Sequence, residues 1–583
     1  MKRLLLCFFV IGLALTGQAT GIIDPALRSE MDQLDEEEGI KINILLAEPF
    51  DALALCRDAN WMPTRQERRL YIVETLKQQA AASQIELLKT LEEMEHNGMV
   101  HDIHPLWLVN SVICTASKTA IYQLSQRNDL LTIGCCEQAK WIPEDDAAPV
   151  CYGHREIAEN LIQVNAPLVW EQGYTGQGVL VAIIDTGINY LHDDLAGRLW
   201  DGGMEYPHHG YDFSDNDNDP MDRHGHGTHV AGTVCGTGVS GTKTGIAPAA
   251  TVMALKAFND QGEGDESQWI AAMQFALEHG ADVINMSLGR PQPSAAQKQM
   301  MRRACDNTLA AGVVAAVCAG NIRQMQFMVP VPYNIYTPGD CPPPMAHEDQ
   351  LVNPGGTSCV ICVGAVDNGD HLAPFSSEGP SQWADVPDYG DYPYLAGSTT
   401  QIGLIRPDLC APGVHIQSLD YNTTDGYTLM DGTSMATPLV SGTIALMLSK
   451  SPELTPAQID HVLESTAVEL RSVASPRSPH KDNNFGAGRL DALAAVNAVE
   501  DVSVAEKEPV KARVYPNPVT DHLIVEADGM IHNMAIYSMN GELLFSRNPN
   551  TDKVEVPTSH LPNGLYFIWM MVGNEGVTLK FAK

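Results

Sequence analysis

The stretch VLVAIIDTG, residues 179–187, is six apolar residues closed by Asp185 and a Thr-Gly turn. A short, wholly apolar run ending in a turn signal reads as a strand buried on both faces, as in parallel sheets. Asp185 then emerges at the carboxyl edge of the sheet, where open α/β sheets form their sites. Taken alone, it reads as a strand-ending Asp that caps the next turn.

Working outward, TVMALKAF (251–258), ADVINMS (281–287) and GVVAAVCAG (312–320) repeat the apolar pattern, and ESQWIAAMQFALEHG (266–280) reads as a helix between strands. Such alternation predicts βαβ units and an α/β domain over 155–497, with a mostly parallel, doubly wound sheet flanked by helices. Residues 20–150 carry a different pattern. KINILLAE is strand-like, residues 64–98 form a long amphipathic helix ended by Gly98, and IHPLWLVNSVICTAS, KTAIYQLSQ and LLTIG read as β, helix and strand. These make a small α+β unit. The polar segment 498–512 is a linker. Residues 513–583 hold short alternating strands with a hairpin signal at Asn540-Gly541, predicting a small all-β sandwich.

Composition narrows the function classes. The chain has 583 residues, room for several domains, and 36 basic against 72 acidic residues, a net charge of −36. Nucleic acid and anionic membranes need clustered Lys and Arg, so neither is an expected partner. Residues 1–19 join Lys2 and Arg3 to an apolar run from Leu4 to Ala14, with small Gly17 and Ala19 at its end. This reads as a secretory signal, too short to span a bilayer, and no later segment is apolar enough to be an integral membrane span. Of 13 cysteines, Cys7 falls inside the signal. An exported chain admits disulfides among the rest, but pairing is not legible from one sequence. Cys359 and Cys362 have CxxC spacing on a strand-like run, which turns their side chains to opposite faces and argues against a metal or redox pair.

Three further stretches carry chemistry. HGHGTHVAGTVCG (224–236) holds His224, His226 and His229, with His226 at the first turn of a tightly packed helix. Zinc is one reading of three close imidazoles, and a single general base is another. DGTSMATPLVSGTIALMLS (431–449) puts Ser434 at the opening of a long helix of small residues. There, unpaired N–H groups and the helix dipole favour a nucleophile and a nascent oxyanion, although an ordinary N-cap looks the same in sequence. VVAAVCAGN (313–321) ends in Asn321, an amide donor at a strand end.

In chain order IIDTGIN, HGTHVAGT, VINMSLG, AGN, VGAVDN, PFSSEGP, APGV and GTSMATP resemble the subtilisin-like serine proteases over about residues 160–450. The order Asp, His, Ser is a stated example of that family. The resemblance implies Asp185, His226 and Ser434 as a catalytic triad, with Asn321 and the Ser434 N–H as the oxyanion donors. It makes His229 a packed structural histidine and His224 a loop residue near the site, and it leaves zinc little room, because a base must keep its lone pair. No cofactor is implied for the chemistry. A protein or peptide substrate would bind as an extended strand along Ser287, Leu288 and Gly289 on one side and Gly262 and Gly264 on the other. Ala319 and Gly320 would border the pocket for the residue before the cut. Glu263, Asp265 and Glu266 hint at basic substrate residues.

Some members of the family bind Ca2+ in the loop that here reads DFSDNDNDP, with Asp215, Asp217 and Asp219 at alternate positions. Such carboxylates are the hard ligands that structural Ca2+ takes, and a solvated Asx-rich loop is the alternative. Two segments depart from the family pattern: 323–351 and 381–403, both rich in Pro, Tyr and Gly, fall where the pocket should be walled. Specificity is therefore not carried over.

By resemblance, residues 20–150 are the family's propeptide, an intramolecular inhibitor and folding aid, with a maturation cut between about 135 and 160. VYPNPVTDHLIV, MAIYSMNGELLFS, LPNGLYFIWM and KFAK resemble the type IX secretion sorting domain of Bacteroidetes proteins, which implies the secretion machinery as a partner and a secreted or surface-held product. The reading is a secreted serine endopeptidase made as a zymogen. Its rivals are a catalytically silent surface-binding protein of the same fold and a metallohydrolase built on the histidine cluster.

Overall fold

Val181 and Ile183 point into one apolar layer while Ala182 and Ile184 point into the other, so the strand Leu180–Asp185 is covered on both faces. Burying such side chains contributes about 1.5–3 kcal/mol each, which is why the run is apolar without alternation. The computed structural model describes residues 22–33, 38–47, 50–59, 62, 64–142, 156–343, 358–387, 389–398, 401–470, 481–499, 511–538, 543–547, 549–572 and 575–583. The signal 1–19 with Cys7, Cys151, residues 500–510 of the linker and the Asn540-Gly541 turn lie outside the described residues.

Seven parallel strands form the central sheet, in the order Leu409–Pro412, Val360–Val366, Val314–Cys318, Val283–Met286, Leu180–Asp185, Thr251–Lys256, Gly210–Asp212. After Leu180–Asp185 the chain lays the edge strand Gly210–Asp212 on one side and fills the gap with Thr251–Lys256, then crosses to build outward on the other. Asp185 thus ends the strand at the topological switch point, where doubly wound sheets open a crevice. The helices His226–Cys235 and Thr433–Lys450 pack on one face, and Glu266–Glu278 and Ala295–Ala310 on the other. Cys359 and Cys362 fall in separate apolar clusters, consistent with opposite faces of the strand they enter.

The N-terminal unit is a four-stranded antiparallel sheet, ordered Val100–Leu106, Ser111–Ser117, Gly39–Leu46, Leu130–Cys135. Its long helix, Arg65–His96, opens on a capping box in which Thr64 Oγ1 accepts from Glu67 N–H and Glu67 Oε2 accepts from Thr64 N–H, both at 3.2 Å. Pro25–Met31 and Ala52–Ala59 are helices that the sequence pattern did not reveal.

This unit sits on the helices Glu266–Glu278 and Ala295–Ala310. Leu108 N–H donates to Gln274 Oε1 at 2.9 Å, and Arg303 donates to the Leu46 carbonyl at 2.8 Å. Its cations meet acids of the α/β domain: Lys41 with Asp265 at 2.6 Å, Arg65 with Asp282 at 2.6 Å, and Arg68 with Glu453 at 2.9 Å.

In the C-terminal domain one long antiparallel strand, His522–Ser538, serves two groups of partners. Its first half pairs with Ala512–Tyr515 and Thr551–Pro557, its second with Leu543–Arg547 and Leu565–Val572. Among the described residues no helix is long and apolar enough to cross a membrane.

Candidate active site

At the crevice, Asp185 and His226 are both buried, and His226 Nδ1 lies 2.7 Å from Asp185 Oδ1. An Nδ1–H donating to the carboxylate fixes the tautomer in which Nε2 is the basic nitrogen. His226 is the first residue of its helix. The preceding Gly225 has φ +106°, and a Cβ there would stand 2.5 Å from the Tyr421 ring, so only glycine makes this entry.

Asp222, which the sequence reading passed over, clamps the same turn. Its Oδ1 accepts from Thr186 Oγ1 at 3.0 Å and from the N–H groups of His224 and Gly225 at 2.9 Å. Its Oδ2 accepts from Thr228 N–H at 2.9 Å and Thr228 Oγ1 at 2.6 Å. Thr186 Oγ1 in turn accepts from Gly227 N–H at 3.0 Å. The backbone on both sides of His226 is thereby tied to the residue that follows Asp185.

Ser434 is the second residue of the helix Thr433–Lys450, which packs against the helix of His226. Its hydroxyl donates to the Ser287 carbonyl at 3.3 Å, while Ser287 Oγ donates to the Ser434 carbonyl at 2.8 Å. Behind this exchange runs a buried polar ladder. Asn285 Nδ2 donates to Ser287 Oγ at 3.0 Å, and Ser441 Oγ donates to Asn285 Oδ1 at 2.7 Å. Asn285 and Ser441 were also missed; an Asn inside an apolar strand, and a Ser seven residues after Ser434, were the available signals.

Asn321 lies beside Ser434. Its Oδ1 accepts from Thr433 N–H at 3.0 Å and Thr433 Oγ1 at 2.8 Å, which fixes the amide plane and leaves Nδ2 as the donor edge. Gly320 N–H donates to Thr433 Oγ1 at 3.2 Å. Ala319 and Gly320 are buried, and the ring of Tyr336 lies against Gly320.

The two segments expected to flank a substrate strand already flank one. Ala139–Lys140 of the N-terminal unit pairs antiparallel with Glu263–Gly264. Trp141 N–H donates to the Gly262 carbonyl at 3.3 Å, and Gly289 N–H donates to the Trp141 carbonyl at 2.8 Å. The Trp141 indole is fully buried, donates to the Gly264 carbonyl at 3.0 Å, stands edge-on to Trp269 and lies beneath the Arg290 guanidinium. Leu288 is buried between these segments and the core.

Two sets of candidate metal ligands fail to converge. His229 is fully buried with Nε2 2.9 Å from the Ile416 carbonyl, and burial pulls it down to about 3, so it is a neutral packing residue. His224 faces Gly262 and His226. In the acidic loop Asp215, Asp217 and Asp219 are all exposed. Asp217 Oδ1 accepts from Asp219 N–H at 2.8 Å, and Asp219 accepts from the Tyr190 hydroxyl at 2.8 Å. Among the described residues no three such side chains gather as a metal site. The alternate spacing of the three carboxylates is present, and the loop folds back on itself as Asp212 pairs with Asp217. Glu263 is exposed, whereas Asp265 and Glu266 are buried under the N-terminal unit.

Comparison with known proteins agrees with the fold. Residues 176–488 match the model of the Subtilase family, and residues 513–583 match the Secretion system C-terminal sorting domain. Bacillopeptidase F of Bacillus subtilis (strain 168) is 29% identical over 463 residues, which is 75% of this chain and 29% of that protein. Subtilisin E of the same organism is 33% identical over 362 residues, 62% of this chain and 76% of that protein. Subtilisin of Bacillus pumilus is 35% identical over 318 residues, 54% and 94% respectively. The sorting domain marks the chain for type IX export to the cell surface or beyond it. An α/β domain matched across its whole parallel sheet by one family model settles the rest: the chain belongs to the subtilase family and is a serine endopeptidase.

Proposed function

We propose that the chain is a secreted zymogen that hydrolyses peptide bonds through an acyl-enzyme, with Ser434 as nucleophile, His226 as general base and then acid, and Asp185 as the group that orients His226. The Ser434 hydroxyl turns from the Ser287 carbonyl toward His226 Nε2, gives up its proton and attacks the peptide carbonyl. Asn321 Nδ2 and the Ser434 N–H take the oxyanion. His226 then protonates the leaving amine, and water releases the acyl group by the same steps in reverse. The observation that carries this reading is the buried 2.7 Å contact between His226 and Asp185.

Residues 20–150 act as the inhibitor, because Ala139–Trp141 takes the backbone bonds that a substrate strand needs. The signal 1–19 and the tail 513–583 serve export, joined to the enzyme by the linker 498–512. The test is a fluorophosphonate probe applied to secreted chain and to Ser434→Ala. Labelling and casein hydrolysis that both vanish in the variant support the reading. Hydrolysis that survives in Ser434→Ala refutes it.

A further inference from the structure

The pocket for the residue before the cut has two walls in the proposed mechanism: the Ala319–Gly320 backbone and the segment Ser287–Gly289 that follows the strand Val283–Met286. The Tyr336 ring stands between them. A Cβ built on Gly320 would meet Tyr336 Cδ1 at 2.5 Å and Cγ at 2.7 Å, and one on Gly289 would meet Tyr336 Cβ at 2.9 Å and Cδ2 at 3.4 Å. One edge of the ring therefore covers one wall and the opposite edge the other. The residue is 8% exposed.

The backbone that carries this ring is held at each step. Tyr336 N–H donates to the Ala319 carbonyl at 2.9 Å, and Arg290 and Thr337 exchange two backbone bonds at 3.0 and 3.2 Å. Asp340 N–H donates to the Tyr336 carbonyl at 3.0 Å, the Asp340 carbonyl accepts from Trp383 Nε1 at 2.8 Å, and its carboxylate pairs with Lys298 at 3.2 Å. A large side chain entering the pocket cannot push the segment aside without breaking several of these bonds.

We propose that Tyr336 fills this pocket and restricts the enzyme to small residues, Gly, Ala or Ser, immediately before the cut. This rests on the protease reading above and names its substrate class. Insertion of a bulky group into filled space is opposed by overpacking, so a Phe or Leu there should lower kcat/KM by about 10–100-fold relative to Ala.

The test uses matured enzyme from the full secreted chain and a peptide series that differs only before the cleaved bond, with Ala, Ser, Leu, Phe or Lys, read by mass. Preference for Ala and Ser, and a Phe-to-Ala ratio that rises at least 10-fold in Tyr336→Gly, support the proposal. Wild-type cleavage after Phe or Leu as efficient as after Ala overturns it, and needs no variant to be secreted. An unchanged ratio in a folded Tyr336→Gly also overturns it. Failure of the protease reading shows separately, as absence of fluorophosphonate labelling at Ser434, which does not depend on this pocket.

Discussion

Asp222→Asn isolates the clamp on His226. The carboxylate accepts five hydrogen bonds, three on Oδ1 and two on Oδ2, and is 3% exposed. An amide can accept on one side only. Its best placement keeps the oxygen on Thr186, His224 and Gly225 and turns the NH2 toward Thr228. The Thr228 hydroxyl can rotate to accept, but the Thr228 N–H is left facing a donor. One orphaned buried N–H costs about 1–3 kcal/mol, and the remaining bonds lose the strengthening that a charged acceptor gives, so about 3 kcal/mol is the expected total. In a domain of this size that lowers the melting temperature by roughly 3–6 °C. Because the disturbed turn carries His226, kcat should fall about 10- to 100-fold with KM nearly unchanged. Calorimetry in a Ser434→Ala background avoids self-digestion, and peptide kinetics on the single variant give the second number. A variant within 1 °C of wild type and with unaltered kcat would refute the clamp.

Asn321→Ala removes the side-chain oxyanion donor and should lower kcat about 10²–10³-fold, a magnitude that comes from subtilisin itself, with KM little moved; equal loss in KM would point to substrate positioning instead. Trp141→Ala removes a fully buried indole from the cleft strand, a change that typically costs 3–5 kcal/mol, so uncut precursor should react with a fluorophosphonate probe at least 100-fold faster; an unchanged rate would free that strand of an inhibitory role. Burial, with the Asp265 carboxylate beside it, pushes the Glu266 carboxyl up to about 8 from an ordinary 4.5. The folded precursor therefore holds that proton more tightly than the unfolded chain does, and this contribution to stability is full below about 4.5 and lost as pH rises through 8. Glu266→Gln should match wild type near pH 5 and exceed it near pH 9 in thermal unfolding of unprocessed Ser434→Ala chain, and parallel pH profiles would contradict the assignment.

Asp185, His226 and Ser434 were legible because each stands at a boundary that local sequence marks: a strand end, a helix start after glycine, a helix start after Gly-Thr. The parallel sheet was legible for the same reason, since its strands are short apolar runs between helices. Residues whose meaning depends on distant partners were not. Ser441 and Asn285 are 156 positions apart and Ser287 and Ser434 are 147 apart, so only the sheet topology brings them together. Asp222 lies near His226 in sequence, but its function depends on Thr186, which the chain reaches only by crossing from the preceding strand. Tyr336 lies in an insertion without periodicity, where neither strand nor helix rules apply.

The cleft strand also bears on maturation. Trp141 is bonded to Gly289, and Ser434 is bonded to the carbonyl of Ser287, two residues earlier along the same segment. A substrate strand antiparallel to that segment would advance about 3.3 Å per residue, so the bond presented to Ser434 is expected about two residues beyond Trp141. A strand that uses the substrate's own backbone bonds is both inhibitor and first substrate: it holds the enzyme shut until the bond it presents is cut, and the product end can then leave. The mature N-terminus should therefore fall within 143–150. Intact-mass analysis of secreted Ser434→Ala beside wild type tests the point: wild type should lose the N-terminal unit at one site in that window, and the variant should keep it. A cut outside the window, or the same cut in the variant, would mean that another protease opens this zymogen.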